Sequence, residues 1–289
     1  MKTIWLVVPC YNEEEVLPET SRQLKAVMNS MIERGKISSE SKITFVNDGS
    51  KDGTWDIISS LCAEDSLFAG INLSRNRGHQ NALLAGLMTA KKYADAAISL
   101  DADLQDDVDV VEKMVDNFLA GDDIVYGVRS SRKTDTFFKR FTAEGFYKFM
   151  AAMGVEIVFN HADYRLMSRR ALEALSEFEE VNLFLRGIVP QIGFKTSTVE
   201  YERKERLAGE SKYPLKKMIS FAFEGITSFS VKPLKMATTL GIFSLIVCFA
   251  MIIYCIVSKA TGHAVAGWAS IGASIWALGG LQLFMLGVI

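Results

Sequence analysis

Two aspartates spaced two residues apart, Asp101 and Asp103, follow the short apolar run Ala96–Leu100. Residues i and i+2 of an extended chain point the same way, so both carboxylates can face one ligand. Two like charges held this close require a cation to balance them. Oxygen ligands of this kind suit Mg²⁺ or Mn²⁺, which complete their coordination with water and substrate phosphates. The pair therefore predicts a divalent metal site and a substrate that contains a diphosphate.

Polar segments also follow three earlier apolar runs. These segments are Pro9–Glu14, Asn47–Ser50 and Ser74–Gln80. Each has an ordinary structural explanation, and Asp48 fits a tight turn as well as it fits a binding role. The chain contains neither GxGxxG nor GxxxxGK[ST], so a nicotinamide-dependent enzyme and a P-loop ATPase are both disfavoured. Nucleotide binding would depend on metal and carboxylates instead.

The elements that must position these residues are five short strands with crossover helices between them. The predicted strands are Ile4–Val8, Ile43–Val46, Ile71–Leu73, Ala96–Leu100 and Ile124–Tyr126. Strands this uniform in Ile, Val and Leu suit a parallel sheet covered on both faces. In such open sheets ligands bind beyond the carboxyl ends of the strands. The predicted fold class is therefore α/β, with four polar segments converging at one sheet edge.

The 289 residues are 49% hydrophobic and 23% charged, with a net charge of −2. This composition argues against a disordered chain, and the lack of a basic excess argues against a nucleic-acid partner. The charge is distributed unevenly. Residues 1–202 carry 23 basic and 31 acidic side chains, 203–235 carry eight and three, and 236–289 carry only Lys259. We predict an acidic domain, a basic juxtamembrane segment and an apolar anchor with these boundaries.

The anchor contains two uncharged runs, Ala237–Val257 and Ala264–Ile289. As a helix, the first run would be about 32 Å long, enough to cross a hydrocarbon core of about 30 Å. We expect two transmembrane helices in a multi-pass protein of the inner (plasma) membrane, with amphipathic helices at the lipid surface over Leu215–Val231. The positive-inside rule places the acidic domain in the cytoplasm. Small residues between Gly267 and Gly287 suit helix–helix contacts and are compatible with a homo-oligomer.

Four sequence blocks contain the polar residues that follow the predicted strands. The blocks are Pro9-x-Tyr11-Asn12-Glu13, Asn47-Asp48-Gly49-Ser50-x-Asp52-Gly53-Thr54, Arg75-Asn76-x-Gly78-His79-Gln80-x-Ala82 and Asp101-Ala102-Asp103-Leu104-Gln105-Asp106. Together they resemble the motifs of family-2 glycosyltransferases of the GT-A fold. Within that family the chain resembles bacterial polyprenyl-phosphate (bactoprenol) glycosyltransferases, which are related to dolichyl-phosphate mannose synthase. The segments His161–Leu166 and Arg203–Tyr213 and the two-span anchor agree with this resemblance. It covers essentially the whole chain and implies a Rossmann-like, mostly parallel sheet.

The resemblance also implies roles for individual residues. Those implied to bind the nucleotide sugar are Pro9, Tyr11, Asn12, Glu13, Asp48, Asp101, Ala102, Asp103 and Gln105. Those implied to form a loop that grips phosphate are Arg203, Arg206, Ser211 and Lys212. Asp163 and Arg165 are implied to be catalytic, near the acceptor. A phosphate monoester has a second pKa of about 6 and is mostly ionised at neutral pH, so Asp163 is as well suited to orienting the acceptor as to deprotonating it. A purely structural Asp–Arg pair is the alternative.

A second group of basic residues follows the strand Ile124–Tyr126 and includes Arg129 and Arg132. A solvated run of charges explains this group as well as a binding role does. In the binding interpretation Arg129, at the strand end, and Arg132 contact the phosphate of a lipid acceptor at the cytoplasmic leaflet.

The hypothesis is an inverting, metal-dependent transfer of a hexose from a nucleotide sugar to polyprenyl phosphate. UDP-glucose is the favoured donor, and N-acetylglucosamine, galactose, mannose and 4-amino-arabinose are the alternative sugars. A processive polysaccharide synthase is disfavoured because no tryptophan lies in a Gln-x-x-Arg-Trp motif. A non-catalytic membrane sensor of nucleotide sugars is the alternative from another class. Members of the family usually continue into a short charged tail, so we expect the sequence to be trimmed after Ile289.

Overall fold

The computed structural model describes residues 1–129, 161–178, 185–202, 232–262 and 268–288. These residues belong to two compact units: the first contains those up to residue 202, and the second contains those from residue 232 onwards. Several sequence predictions fall outside the described residues. They are the acceptor residue Arg132, the phosphate-loop residues Arg203, Arg206, Ser211 and Lys212, and the surface helices within Leu215–Val231.

The first unit contains seven described strands and six described helices. The strands are β1 (Ile4–Cys10), β2 (Lys42–Asn47), β3 (Phe68–Asn72), β4 (Ala96–Ser99), β5 (Ile124–Arg129), β6 (His161–Ser168) and β7 (Thr196–Tyr201). The helices are α1 (Leu17–Glu33), α2 (Thr54–Glu64), α3 (His79–Ala90), α4 (Val110–Leu119), α5 (Arg169–Leu175) and α6 (Leu185–Gln191).

The strands form one sheet in the order β3-β2-β1-β4-β6-β5-β7. β1, β2, β3 and β4 are mutually parallel, and β7 is parallel to β5. β6 lies between β4 and β5 and is antiparallel to both. The predicted α/β architecture with a mostly parallel sheet is therefore confirmed. The carboxyl ends of the first four strands meet at one edge, as the sequence predicts.

The sheet and its helices enclose a continuous apolar core. Every residue of β1 is buried, and Ile4, Leu6 and Val8 pack in the same core cluster as Leu24 and Met28 of α1. Burying side chains of this size stabilises the fold by about 1.5–3 kcal/mol each.

Helix α3 lies unusually close to the sheet. A Cβ atom at Gly86 would lie 2.3 Å from Val7 Cγ1 and 2.8 Å from Val46 Cγ2. Because glycine has no Cβ, α3 can approach β1 and β2 at this point. This close packing fixes the helix whose first residues, His79 and Gln80, enter the candidate site.

The third strand differs from its predicted position of Ile71–Leu73. β3 begins at Phe68 and ends at Asn72. It is an edge strand in which only Phe68 is buried and the other four residues alternate between half-buried and exposed, so it lacks the uniform apolar run by which the sequence identified its neighbours.

The second unit contains two long apolar helices, α7 (Lys232–Ala260) and α8 (Trp268–Val288). Both are long and apolar enough to cross a membrane, with mean hydropathies of 2.8 and 1.7 in their spanning segments. They pack against each other through small residues. A Cβ atom at Gly241 would lie 2.5 Å from Phe284 N and 2.8 Å from Gly280 O. Cys248 Sγ of α7 also donates to Ala273 O of α8, at 3.3 Å. The second unit is thus a closely packed helical hairpin.

Candidate functional site

A pocket of about 250 Å³ opens at the carboxyl ends of β1, β2 and β4. Its lining residues are Pro9, Cys10, Tyr11, Glu13, Asp48, Asn76, Gly78, His79, Ala82, Asp101, Ala102 and Asp103. Seven of the nine residues predicted to bind the nucleotide sugar are in this lining. The other two, Asn12 and Gln105, are outside the described lining. The structure therefore brings most of the predicted donor-binding residues together, although their roles stay predictions.

Asp48, at the end of β2, is 2% exposed and joins the β2 loop to the start of α3. Its Oδ1 accepts a hydrogen bond of 2.7 Å from Arg77 N, and its Oδ2 accepts one of 2.9 Å from Gly78 N. Its own backbone N–H donates to Cys10 O at 2.9 Å. Each carboxylate oxygen can accept a second hydrogen bond. Asp48 thus fixes the pocket wall and retains the capacity to accept from a ligand.

Asn12 connects the β1 loop to the β2 loop. Its backbone N–H donates to Ser50 Oγ at 3.0 Å, and its side-chain Oδ1 accepts from Lys51 N at 2.9 Å. The residue has a φ of 55°, in the left-handed region that asparagine tolerates better than most residues. Asn12 therefore joins the loops after β1 and β2 through its contacts with Ser50 and Lys51.

Asp101 and Asp103 both line the pocket just beyond β4. His79 Nε2 lies 3.5 Å from Asp101 Oδ1 and 3.8 Å from Asp163 Oδ2. Desolvation raises the pKa of Asp101 to about 6, with the negative charges of Asp106, Asp163 and Asp103 acting in the same direction and His79 acting against them. Among the described residues, no group of three or more His, Cys, Asp or Glu side chains is arranged as a metal site. The two carboxylates are oxygen donors that a shared hard cation could use.

Asp163 reaches this region because β6 runs antiparallel to β4, with Arg165 opposite Ser99. The strand end that carries Asp163 therefore lies beside the strand end that precedes Asp101. Ser99 Oγ donates to the backbone oxygen of Asp163, and it also donates to that of Arg165 at 3.3 Å. The β4–β6 register thus sets the position of Asp163 relative to the pocket.

The Asp163 carboxylate is buried and accepts hydrogen bonds from three side chains. Arg165 Nη2 donates to Oδ1 at 2.5 Å, Arg186 Nη2 donates to Oδ2 at 3.1 Å, and Gln80 Nε2 donates to Oδ2 at 3.2 Å. Burial alone would raise the pKa of Asp163, but the positive charges of Arg186 and Arg165 hold it well below its usual range. Asp163 is therefore a permanently ionised partner of two guanidinium groups.

Arg129, the predicted acceptor-phosphate residue, is the last residue of β5 and belongs to a second polar cluster. Its Nε donates to the hydroxyl of Tyr201 at 3.3 Å, and its Nη2 lies 3.6 Å from Asp106 Oδ1. The Tyr201 hydroxyl donates to the same Asp106 oxygen at 2.5 Å. Asp106 belongs to the loop that carries Asp101 and Asp103, so this cluster ties β5 and β7 to that loop.

Sequence reasoning assigned no role to Gln80, Arg186 or Tyr201. Gln80 belongs to the Arg75–Ala82 block, which resembles a family motif. The block indicates that Gln80 matters, but it does not indicate that its partner is Asp163. Arg186 and Tyr201 lie in no recognised block, and their contacts join residues 23 and 95 positions apart in sequence. No local pattern encodes contacts at such separations.

Comparisons with known proteins give the family of the chain independently of this geometry. The profile described as Glycosyl transferase family 2 matches residues 5–176. The chain is 55% identical to the uncharacterized glycosyltransferase YkoT of Bacillus subtilis (strain 168), over 98% of this chain and 84% of that protein. It is 40% identical to a protein of Shigella phage SfV named bactoprenol glucosyl transferase, over 99% of this chain and 91% of that protein.

A solved structure supports the fold. The glucosyl-3-phosphoglycerate synthase of Mycobacterium tuberculosis, solved with phosphoglyceric acid, aligns with a TM-score of 0.51 at 14% identity, over 79% of each chain. At this identity the likeness concerns the GT-A-like fold alone. The family assignment comes from the profile, which covers more than half of the chain, and from relatives that match nearly all of it. The chain belongs to glycosyltransferase family 2 and is a glycosyltransferase.

Proposed function

We propose that this protein transfers a hexose from a nucleotide sugar to polyprenyl phosphate, with inversion at the anomeric carbon. The observation that carries the proposal is the 40% identity, over 99% of the chain, to a phage protein named bactoprenol glucosyl transferase. The same name favours glucose as the sugar and, with it, UDP-glucose as the donor. The pocket at the strand ends supplies a place for that donor.

The donor would bind with its nucleoside along the β1 and β2 ends and its diphosphate beside β4. Tyr11 and Glu13 line the first part of the pocket, together with Asp48, and Asp101 and Asp103 line the second. The pocket therefore offers carboxylate acceptors for hydroxyl and imino groups at one end. At the other end its charged lining residues are the carboxylates Asp101 and Asp103, so a counter-charge is needed there to bind a diphosphate.

A divalent cation, Mg²⁺ or Mn²⁺, meets that need, and the residues present fit it. Asp101 and Asp103 supply hard oxygen donors on one wall of the pocket, and such carboxylate pairs bind these ions together with substrate phosphates. When bound, the ion neutralises charge on the departing nucleoside diphosphate.

In the reaction, a phosphate oxygen of the lipid attacks the anomeric carbon of the sugar and the nucleoside diphosphate leaves. A carbon–oxygen bond forms between the anomeric carbon and the lipid phosphate as the carbon–oxygen bond to the nucleoside diphosphate breaks. The attacking oxygen is already anionic at neutral pH, because the second pKa of a phosphate monoester is about 6. The protein's main contribution is thus to hold two negatively charged substrates at a reactive distance.

The two apolar helices would bring the active site to its lipid substrate. The basic segment 203–235 leads into them and includes the first residues of α7, and the positive-inside rule would put it on the cytoplasmic face together with the catalytic domain. A soluble nucleotide sugar then arrives from the cytoplasm, while the acceptor phosphate lies at the membrane surface. Arg129, Arg132 and the loop residues Arg203, Arg206, Ser211 and Lys212 remain the proposed contacts of that phosphate and of the donor diphosphate.

The test is a transfer assay with the purified full chain, radiolabelled UDP-glucose, polyprenyl phosphate and Mn²⁺ or Mg²⁺. We expect label in an organic-extractable glycolipid, and we expect its loss in Asp103→Asn but not in the matched control Asp56→Asn, since Asp56 is exposed on α2. Parallel reactions with other nucleotide hexoses identify the sugar. Failure of every donor to label lipid would refute the proposal, and nucleotide binding without turnover would then indicate a sensor.

A further inference from the structure

The loop after β4 carries the two carboxylates assigned to the cation, and the apolar core holds the residues next to them. We call residues 101–107, which contain four aspartates, the acidic loop. Ala102 and Leu104 belong to the core cluster and are 4% and 5% exposed. Their burial keeps the loop against the core, while Asp101 and Asp103 line the pocket.

Leu104 adopts a backbone conformation that is rare for a bulky residue. Its φ is 53°, in the left-handed region, where the Cβ of an L residue comes too close to the following carbonyl oxygen. Such a conformation persists only where the surrounding structure enforces it, and it is concentrated at functional sites. Here the buried Leu104 side chain and a 3.2 Å hydrogen bond from Gln105 N to Asp103 Oδ1 stabilise it. The acidic loop is therefore held in a conformation that it would not adopt alone.

Thr20 of α1 fixes the backbone between the two carboxylates. It is completely buried, and its Oγ1 donates to Ala102 O at 2.6 Å. The same oxygen lies 3.1 Å from Val16 O, but a hydroxyl has a single hydrogen, so the nearer carbonyl is the main acceptor. The Ala102 carbonyl belongs to the peptide group that leads into Asp103. Thr20 therefore limits rotation of that peptide and, with it, the direction of the Asp103 carboxylate.

Two tyrosine hydroxyls hold the other end of the acidic loop. Tyr201 of β7 donates to Asp106 Oδ1 at 2.5 Å, and Tyr164 of β6 donates to Asp107 O at 2.9 Å. The two rings are in edge-to-face contact, with centroids 5.4 Å apart. Hydroxyls from α1, β6 and β7 thus act on one short loop, and all three lie outside the described lining of the pocket.

Rigidity of this kind distinguishes between divalent cations. Mg²⁺ requires a nearly ideal octahedron of oxygens at about 2.0–2.1 Å, whereas Ca²⁺ accepts irregular sets of oxygens at about 2.3–2.6 Å. A pair of carboxylates held in one arrangement can therefore favour the smaller ion. A pair on a mobile loop adapts to either ion and loses that preference.

We propose that Thr20 and Tyr201 are positioning residues that hold the acidic loop rigid, so that the cation site at Asp101 and Asp103 selects Mg²⁺ over Ca²⁺. This inference rests on the proposed function, because it takes a divalent cation to bind these carboxylates together with the donor diphosphate. The alternative is that the two hydroxyls only stabilise the fold. That role predicts a lower melting temperature with unchanged ion selectivity, whereas positioning predicts a change in the selectivity itself.

The experiment measures the affinities of the purified full chain for Mg²⁺ and Ca²⁺ in the presence of UDP. Electron paramagnetic resonance follows bound Mn²⁺ while each ion is added as a competitor, and the ratio of the two affinities does not depend on that of Mn²⁺. The variants are Thr20→Val, which removes the hydroxyl and keeps the branched side chain, Thr20→Ser, which keeps the hydroxyl, and Tyr201→Phe. Thermal unfolding in detergent is measured for each protein.

The matched control is Thr44→Val. Thr44 of β2 is also completely buried, and within the described part of the chain its Oγ1 has no hydrogen-bond partner. The control therefore makes the same substitution in the same sheet domain without removing a contact to the acidic loop.

In the wild type we expect Mg²⁺ to bind more tightly than Ca²⁺. Thr20→Val should weaken Mg²⁺ binding about tenfold, the lower end of the effect of losing a group that orients a metal ligand. Its affinity for Ca²⁺ should change less than about threefold, since Ca²⁺ tolerates irregular coordination. Thr20→Ser and Thr44→Val should keep the wild-type ratio. Tyr201→Phe should shift the ratio in the same direction but less, because Arg129 Nη2 still lies 3.6 Å from Asp106 Oδ1.

Four results would overturn the inference: a wild type that does not prefer Mg²⁺, an unchanged ratio in both Thr20→Val and Tyr201→Phe, an equal shift in Thr20→Ser, or an equal shift in Thr44→Val. If Thr20→Val does not fold, the ratio of Tyr201→Phe decides. If the wild type binds Mn²⁺ with UDP but transfers no sugar to polyprenyl phosphate, the proposed function fails on its own, and the ratios still test this inference. If the wild type binds none of these ions with UDP, this inference fails even where sugar transfer is observed.

Discussion

The Oδ2 atom of Asp48 accepts a 2.9 Å hydrogen bond from the backbone N–H of Gly78, although the two residues are 30 positions apart. Gly78 precedes the first residue of α3 and has a φ of +87°, a conformation that favours glycine. Asp48 therefore determines where α3 begins. His79 and Gln80 are the first residues of that helix. The bond therefore links the end of β2 to the side chains that contact Asp101 and Asp163.

The first prediction concerns Asp48→Asn. Asparagine has one acceptor oxygen, so it leaves either the Arg77 or the Gly78 N–H without its present acceptor. We expect the free energy of unfolding to fall by about 1–3 kcal/mol and the affinity for UDP to fall with it. Denaturant titration in detergent and calorimetry measure the two effects. Asp56→Asn serves as the control, and equal stability of the two variants would contradict the structural role of Asp48.

The second prediction compares two glycines with nearly the same backbone conformation, Gly49 (φ +66°) and Gly35 (φ +65°). A Cβ at Gly49 would lie 2.6 Å from both Arg75 C and Asn76 N, whereas a Cβ at Gly35 would have no atom within 4 Å. Gly35→Ala should cost about 1–2 kcal/mol for the left-handed conformation alone. Gly49→Ala should cost more and should weaken UDP binding, because the loop before α3 must move. Thermal unfolding with and without UDP measures both, and indistinguishable variants would refute the close approach.

Part of this site was predictable because the relevant signals are local. The β1, β2 and β4 runs are apolar over consecutive residues, and parallel strands present their carboxyl ends at one edge. The placement of Asp48, Asp101 and Asp103 in one pocket follows from these two facts. The pattern of apolar strands and polar strand ends is therefore sufficient to predict where the pocket lies.

The environment of Asp163 was not predictable in the same way. β6 carries Asp163 and Arg165 in its interior, so its pattern of charges does not resemble that of a buried strand, and it was not predicted. Those charges are buried because they pair with each other and with Arg186, which lies 23 residues further along the chain. Burying a charge is affordable only with such a partner, and the sequence does not say which distant residue provides it.

A third prediction addresses the metal directly. Removal of one carboxylate from the Asp101–Asp103 pair should lower the affinity for Mn²⁺ roughly tenfold or more, since the charge and number of ligands set the affinity for such ions. Electron paramagnetic resonance of Mn²⁺ in the presence of UDP measures the bound fraction independently of turnover. Asp56→Asn should bind Mn²⁺ like the wild type. Undiminished Mn²⁺ binding in both Asp101→Asn and Asp103→Asn would exclude the pair as ligands.

A fourth prediction concerns the packing of α7 against α8. A Cβ at Gly241 would lie 2.5 Å from Phe284 N, a backbone atom that cannot move aside, whereas a Cβ at Gly279 would have nothing within 4 Å. We expect Gly241→Ala to destabilise the hairpin by about 1–3 kcal/mol, as overpacking does. Gly279→Ala should be neutral within about 0.5 kcal/mol. Thermal unfolding in detergent compares them, and equal melting temperatures would show that the helices do not meet at Gly241.

The final prediction uses pH to distinguish the two roles of Asp163. Arg186 and Arg165 hold the pKa of Asp163 well below its usual range against the effect of burial, so the carboxylate stays ionised throughout the pH range of the assay. Any stability that it contributes is present above its ordinary pKa and is lost only as the pH falls through the lower, folded value. The acid limb of the pH–rate profile should therefore come from groups other than Asp163, namely the acceptor phosphate and Asp101, each with a pKa of about 6. Asp163→Asn should lower the rate at every pH and leave that limb in place. Disappearance or displacement of the limb in Asp163→Asn, with the limb unchanged in the control Arg170→Gln, which removes the partner of Asp123, would instead identify Asp163 as the group that takes up the proton.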